Sequence, residues 1–160
     1  MSKRKPVYQK KTFESNLDTS DTSANIYHSM LMSPAWKDLR ASAKTLYLCC
    51  KDQYYQCKTH PVKDDPTTFF MNQSKWVVGN ECSYELYRKG NATAFYTDMR
   101  ALIDHGFIDC VRSGANTREK SIYRLSSRWI NYGTDAFVLD ASVMTTVMSR
   151  EYRKRPEEPE

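Results

Sequence analysis

Residues 92–112 read ATAFYTDMRALIDHGFIDCVR, and this stretch carries the clearest structural signal in the chain. Its large apolar residues recur at helical intervals, which predicts an amphipathic helix over residues 92–105. These residues are Phe95, Met99, Leu102 and Ile103. Gly106 stands where helices commonly end in a left-handed residue. The apolar run at 107–112 then predicts a strand that follows the helix directly.

A second strand completes a hairpin on the C-terminal side. Residues 121–125 (SIYRL) alternate polar and apolar side chains, which predicts a half-buried strand. The intervening residues 113–120 (SGANTREK) are rich in turn formers. We expect Trp129, Ile130 and Tyr132 to pack the exit of this hairpin against the helices.

The N-terminal half predicts two helices. Ser33 is a candidate N-cap with Pro34 at the first helical position. The second helix begins near Ser42 and ends before His60-Pro61, because the residue before proline is disfavoured in the α region. Its expected inward side chains are Leu46, Cys49, Cys50 and Tyr54, and its expected outward ones are Lys44, Lys51 and Asp52.

Three further elements complete the predicted order. Residues 69–71 (FFM) read as a short strand, and Asn72 is a candidate cap of a helix that follows. That helix is expected to carry Trp76, Val77, Tyr84 and Leu86. Residues 138–153 predict a final helix. The order is then helix, helix, short strand, helix, turn, helix, hairpin, helix.

Composition bounds the domain organisation. The 160 residues are 40% hydrophobic, which is enough for one core and predicts a single domain at 26–153. Residues 1–25 read as a disordered basic and polar arm, and 154–160 as a frayed charged tail. The chain shows neither a membrane-length apolar run nor a signal peptide, which predicts a cytoplasmic protein that does not contact membranes. The five cysteines read as buried reduced thiols.

Charge and polar side chains indicate an anionic partner. The formal net charge is +5, and residues 109–128 carry five cations against two acids. The side of the 92–105 helix opposite Phe95 and Met99 presents hydroxyl groups and a guanidinium, which suit phosphates and base edges. These polar residues are Thr93, Tyr96, Thr97 and Arg100. The acid that interrupts this face is Asp98, at its edge.

Three segments together resemble a known fold family. They are SPAWKDLRASAKTLYLCC (33–50), AFYTDMRALIDHGFIDCVRSG (94–114) and SIYRLSSRW (121–129). They resemble winged helix-turn-helix DNA-binding domains, in the style of the N-terminal domains of plasmid and phage replication initiators and replisome organisers, and of mobile-element helix-turn-helix proteins. The resemblance implies an α+β, mostly α fold: one winged-helix domain with a small β-hairpin wing and an added C-terminal helix.

The resemblance also implies a function. Thr93, Tyr96, Thr97 and Arg100 would read the major groove of double-stranded DNA, and the wing residues Arg112, Arg118 and Lys120 would touch the backbone or minor groove. Because no large second domain follows, we expect an accessory or regulatory factor in replication, transfer or transcription of a mobile element. In the arm, Lys3, Arg4 and Lys5 fit phosphate contact and a solubilising tail equally well.

Other functions fit the sequence less well. A winged helix used for protein contacts, through Tyr84, Tyr87, Tyr96 and Trp129, is the main alternative. Catalysis is not expected, because His28, His60 and His105 are scattered and no catalytic motif is present. Cys57 and His60 have ligand-like spacing but form a single pair, so we expect no metal and no cofactor. A homodimer through 138–153 and packing of that helix on its own domain are both open.

Overall fold

The computed structural model describes residues 23–56, 59–71, 84–88, 92–114 and 119–138. Within these ranges the chain forms helices and an antiparallel sheet, so the architecture is α+β as expected. The helices are α1 (His28–Met32), α2 (Pro34–Asp38), α3 (Ala41–Tyr55), α4 (Ala92–Asp104) and a 3-10 helix (Arg128–Asn131). The strands are β1 (Thr68–Phe70), β2 (Ile108–Arg112) and β3 (Ile122–Leu125).

The start of α2 is the one predicted. The Ser33 hydroxyl accepts a hydrogen bond from the backbone N–H of Trp36 at 3.1 Å, and Pro34 occupies the first helical position. α3 then begins at Ala41, one residue before the predicted start. The short α1 was not predicted from the sequence, because five residues give too little periodicity to detect.

The hairpin is confirmed, and β1 adds a third strand to it. The sheet order is β1-β3-β2, with Tyr123 of β3 opposite Phe69 on one side and Cys110 on the other. The register in which β2 pairs with β3 shifts between Cys110 and Arg112. Because β1 precedes α4 in the chain while the hairpin follows it, the sheet ties together segments on both sides of this helix.

The core forms where α4 packs against α3 and the sheet. The predicted inward residues of α4 (Phe95, Met99, Leu102 and Ile103) are all buried, as are Leu46, Cys49 and Cys50 of α3. Phe107 joins this core to an aromatic cluster. Its ring lies 5.9 Å from Trp129 in a parallel stack and 5.1 Å from Tyr47. Trp129 therefore packs as expected and Tyr132 lies partly buried against the core, whereas the prediction for Ile130 was wrong: its side chain is 64% exposed.

Gly106 makes the turn between α4 and β2. Its φ is +77°, and an added Cβ would lie 2.6 Å from the backbone nitrogen of Trp129. The Trp129 N–H also donates to the Gly106 carbonyl at 3.1 Å. The 3-10 helix therefore packs directly on this turn, and a side chain at position 106 has no room.

Lys51 was predicted to be outside and is instead 6% exposed. Its ammonium donates to the Asn25 carbonyl and lies 6.0 Å and 5.9 Å from the ring centroids of Tyr27 and Tyr47. Burial lowers the pKa of this amine. The expected arm at 1–25 thus overlaps the folded part, since Asn25 is held by α3.

Several other predictions are wrong, are confirmed in part, or concern residues that the structure does not describe. Residues 84–88 contain no helix, so the helix expected to include Tyr84 and Leu86 does not extend there; Glu85 has a φ of 52°. Residues 72–83, most of the predicted helix at 138–153 and the tail at 154–160 lie outside the described residues. Cys49, Cys50 and Cys110 are free thiols and buried, as expected for three of the five cysteines. No helix in the described ranges has the length and apolar character to cross a membrane.

Candidate nucleic-acid interface

The polar residues predicted on α4 share one side of the helix. Thr93, Tyr96 and Thr97 are exposed, and Tyr96 is 51% accessible although its ring meets Phe95 edge-on at 5.2 Å. The Thr97 hydroxyl donates to the Thr93 carbonyl at 2.8 Å, which leaves its oxygen lone pairs able to accept from a ligand. This side of α4 therefore presents hydroxyl groups to solvent, as the sequence predicted.

Arg100 lies on the same side and carries an acidic neighbour that the sequence reading missed. Its Nε is 3.4 Å from Oδ2 of Asp104, and 30% of the Arg100 side chain is exposed. Position 104 follows 100 by four residues, so the two side chains meet one turn apart. Helical spacing alone could have found this acid, because 93, 97, 100 and 104 fall on one stripe.

Asp98 is a correction to the sequence reading, which placed it at the edge of the polar face. Its side chain is 0% exposed and accepts hydrogen bonds from Nε of Arg40 and from the Tyr87 hydroxyl, the latter at 2.7 Å. A carboxylate tolerates burial when a cation and a donor compensate its lost hydration. Burial, and then the hydrogen bond to Asp98, raise the pKa of Tyr87.

α4 packs directly against β2, the first strand of the hairpin. Burial, and then the nearby Cys110 thiol, raise the pKa of Tyr123 in β3. The loop that joins β2 to β3 forms the end of the hairpin away from the Gly106 turn.

Two of the predicted wing cations lie at this end of the hairpin. Arg112 and Lys120 are both exposed. Nη2 of Arg112 is 3.3 Å from Oε2 of Glu119, and the Lys120 ammonium lies 5.8 Å from the centroid of the Phe70 ring. Arg118 lies outside the described residues, as do Lys3, Arg4 and Lys5 of the arm.

Carboxylates hold the side chains of Arg128 and Arg124, which are 19% and 38% exposed. Nε of Arg128 donates to Asp109 at 2.9 Å, and Nη2 of Arg124 lies 3.3 Å from the same carboxylate. Arg124 also lies 3.5 Å from Asp65 in the loop before β1. Two of the five cations counted in 109–128 thus hold the hairpin in place, so the charge available to a ligand is smaller than the sequence count.

The aromatic residues of the alternative protein interface do not form one exposed surface. Tyr87 is buried against Asp98, and Trp129 stacks on Phe107. The Tyr84 hydroxyl donates to Asp52 of α3. Of these four aromatics only Tyr84 and Tyr96 are exposed.

The described ranges contain no group of three or more histidine, cysteine, aspartate or glutamate side chains arranged to hold a metal ion. Cys57, half of the Cys57–His60 pair, lies outside them. Nδ1 of His60 is within hydrogen-bond distance of the Thr68 carbonyl at 2.9 Å, so this nitrogen has a backbone partner. Neither a protein-family model, nor a curated protein, nor a solved structure matches this chain.

Proposed function

We propose that this chain is a winged helix-turn-helix protein that binds double-stranded DNA without catalysis. The hairpin follows α4 after a single tight turn, and β1, which precedes α4, completes the sheet. A helix followed directly by a hairpin is the order that the resemblance implies for a reading helix and its wing. In this proposal α4 is the reading helix and the β2–β3 hairpin is the wing.

The observation that carries the proposal is that two elements packed against each other both expose polar groups suited to DNA. α4 exposes hydroxyl groups, and the hairpin exposes Arg112 and Lys120. A groove-reading helix flanked by a cationic loop can contact base edges and the adjacent phosphates in one docking event. The major groove, about 12 Å wide, accepts a helix such as α4.

Each side chain then has a defined chemical role. Arg100 can donate two hydrogen bonds to guanine, and the hydroxyls of Thr93, Tyr96 and Thr97 can reach phosphates or base edges. Arg112 and Lys120 neutralise phosphates of the flanking backbone. An accessory or regulatory role in replication, transfer or transcription of a mobile element rests on the resemblance, as does a homodimer that reads paired half-sites.

The experiment begins by selecting bound fragments from a random duplex pool, followed by affinity measurements on the selected site and on unrelated duplex. We expect Arg100→Ala to lose about 1–3 kcal/mol of discrimination between the two, because a bidentate base contact disappears. Lys120→Ala should weaken binding to both equally and make the salt dependence shallower by about 0.9 in log–log slope.

Two results would contradict the proposal. If both variants bind duplex as the unaltered chain does, α4 and the hairpin are not the interface. If the chain binds no duplex at low salt and instead captures a protein with an affinity that hardly changes with salt, the aromatic-interface alternative is correct.

A further inference from the structure

We propose that Arg40, held by the buried carboxylate of Asp98, is a further DNA contact that binds a backbone phosphate beside the polar face of α4. The inference rests on the proposed function and adds a second flank to the same interface. Arg40 lies in the turn between α2 and α3, outside the segments predicted to bind DNA.

The anchor of Arg40 is unusually firm for an exposed arginine. Asp98 is fully buried and receives one hydrogen bond from Nε of Arg40 and another from Tyr87. Removing the cation would leave a buried charge uncompensated, so the pairing is strongly favoured. The guanidinium is therefore fixed at one edge while half of the side chain, 51%, stays exposed.

The position of Asp98 on α4 determines where Arg40 emerges. Successive residues of a helix are about 100° apart, so Thr97 lies between Tyr96 and Asp98 on the helix circumference. Arg40 is the residue before α3, which packs against α4. Arg40 accordingly meets α4 on the Asp98 side of the exposed Thr97, whereas Tyr96 lies on the other side of Thr97.

The free edge of this guanidinium suits phosphate. Within the described part of the chain, Asp98 is the only hydrogen-bond partner of the Arg40 side chain, through Nε. The terminal nitrogens can then donate two parallel hydrogen bonds to phosphate oxygens, a geometry that lysine cannot reproduce. Because Asp98 already fixes the side chain, DNA binding would lose less side-chain entropy than with a mobile arginine.

A double variant tests the contact without changing net charge. Arg40→Gln with Asp98→Asn removes the cation and the buried carboxylate together, and the amide oxygen that replaces the carboxylate can still accept from Tyr87. Its matched control is Lys63→Gln with Asp64→Asn, which removes an exposed cation and an exposed acid from the loop before β1. We expect the first pair to weaken duplex binding about fivefold to tenfold and to make the salt slope shallower by about 0.9, and the second pair to leave both unchanged.

A measurement on the unaltered protein gives an independent answer if the double variant does not fold. Arginine-selective dicarbonyl labelling, mapped by mass spectrometry, reports the accessibility of each guanidinium with and without bound duplex. We expect duplex to protect Arg40 about fivefold, as one added contact worth roughly 1 kcal/mol implies. Arg124 serves as the internal control and should label at the same rate in both states.

The outcomes separate this inference from the proposed function. If Arg100→Ala and Lys120→Ala weaken DNA binding while Arg40 labels equally in free and bound protein, only the phosphate contact at Arg40 is wrong. An unchanged salt slope in a folded double variant overturns it as well. If the unaltered chain binds no duplex at all, the proposed function itself fails.

Discussion

Nε of Arg128 donates a hydrogen bond to Oδ1 of Asp109 at 2.9 Å, and this pair connects three elements. Asp109 belongs to β2, Arg128 begins the 3-10 helix, and Nη2 of Arg128 also donates to the Ile103 carbonyl near the end of α4 at 3.1 Å. Only 5% of Asp109 is exposed. The hairpin, α4 and the 3-10 helix are thus fixed to one another through Arg128.

Asp109→Ala should lower the free energy of unfolding by about 3 kcal/mol, because Arg128 would lose its buried counterion. Urea denaturation followed by far-ultraviolet circular dichroism measures the change. Asp64→Ala, which removes an exposed acid, should change stability by no more than about 0.5 kcal/mol. Equal stability of the two variants would show that the Asp109 pair contributes nothing net.

Gly106→Ala should destabilise the protein by about 3–4 kcal/mol. The left-handed backbone costs an alanine about 1–2 kcal/mol, and the clash of its Cβ with the Trp129 backbone adds the cost of overpacking. Gly133 is the matched control: its φ is +80°, but nothing lies within 4 Å of an added Cβ. Gly133→Ala should therefore lower the stability only by the cost of the left-handed backbone. Comparing the thermal unfolding of both variants separates this cost from that of the steric clash.

Acid unfolding should depend in part on Asp38. Hydrogen bonds from His105 at 2.9 Å and Tyr132 at 2.7 Å lower the pKa of Asp38 below its usual 3.8. The carboxylate then stabilises the fold above about pH 4, and this contribution is lost as the pH falls through the lowered pKa. Asp38→Asn should lower the urea midpoint of unfolding at pH 7. The difference in midpoint between this variant and the unaltered protein should be smaller at pH 3. A difference that stays constant between the two pH values would contradict this assignment.

Glu119→Gln should tighten DNA binding about twofold to fivefold at low salt. Glu119 pairs with Arg112 at 3.3 Å, so it competes with phosphate for that guanidinium, and exposed pairs of this kind are worth up to about 1 kcal/mol. The control, Asp135→Asn, removes an exposed acid from the C-terminal segment. Fluorescence anisotropy of labelled duplex compares the two, and an equal gain from both variants would indicate a general charge effect without a role for the Arg112 pair.

Local patterns in the sequence determined the elements around α4. The spacing of Phe95, Met99 and Leu102 specified both the helix and its buried side, since one apolar stripe leaves a helix a single way to pack. Gly106 marked the turn because a side chain is strained there, and Ser33 marked a helix start because its hydroxyl satisfies an unpaired N–H. Each of these signals lies within a few residues of the feature it predicts.

Only the tertiary structure decided where the charged side chains point. Asp98 looked exposed and is buried, because its partners Arg40 and Tyr87 come from 58 and 11 residues away. Lys51 looked outward and is covered by the segment before α1. Arg124 and Arg128 counted toward a basic hairpin, yet Asp109 holds both. A charge is exposed or compensated according to partners distant in sequence, and no local periodicity encodes them.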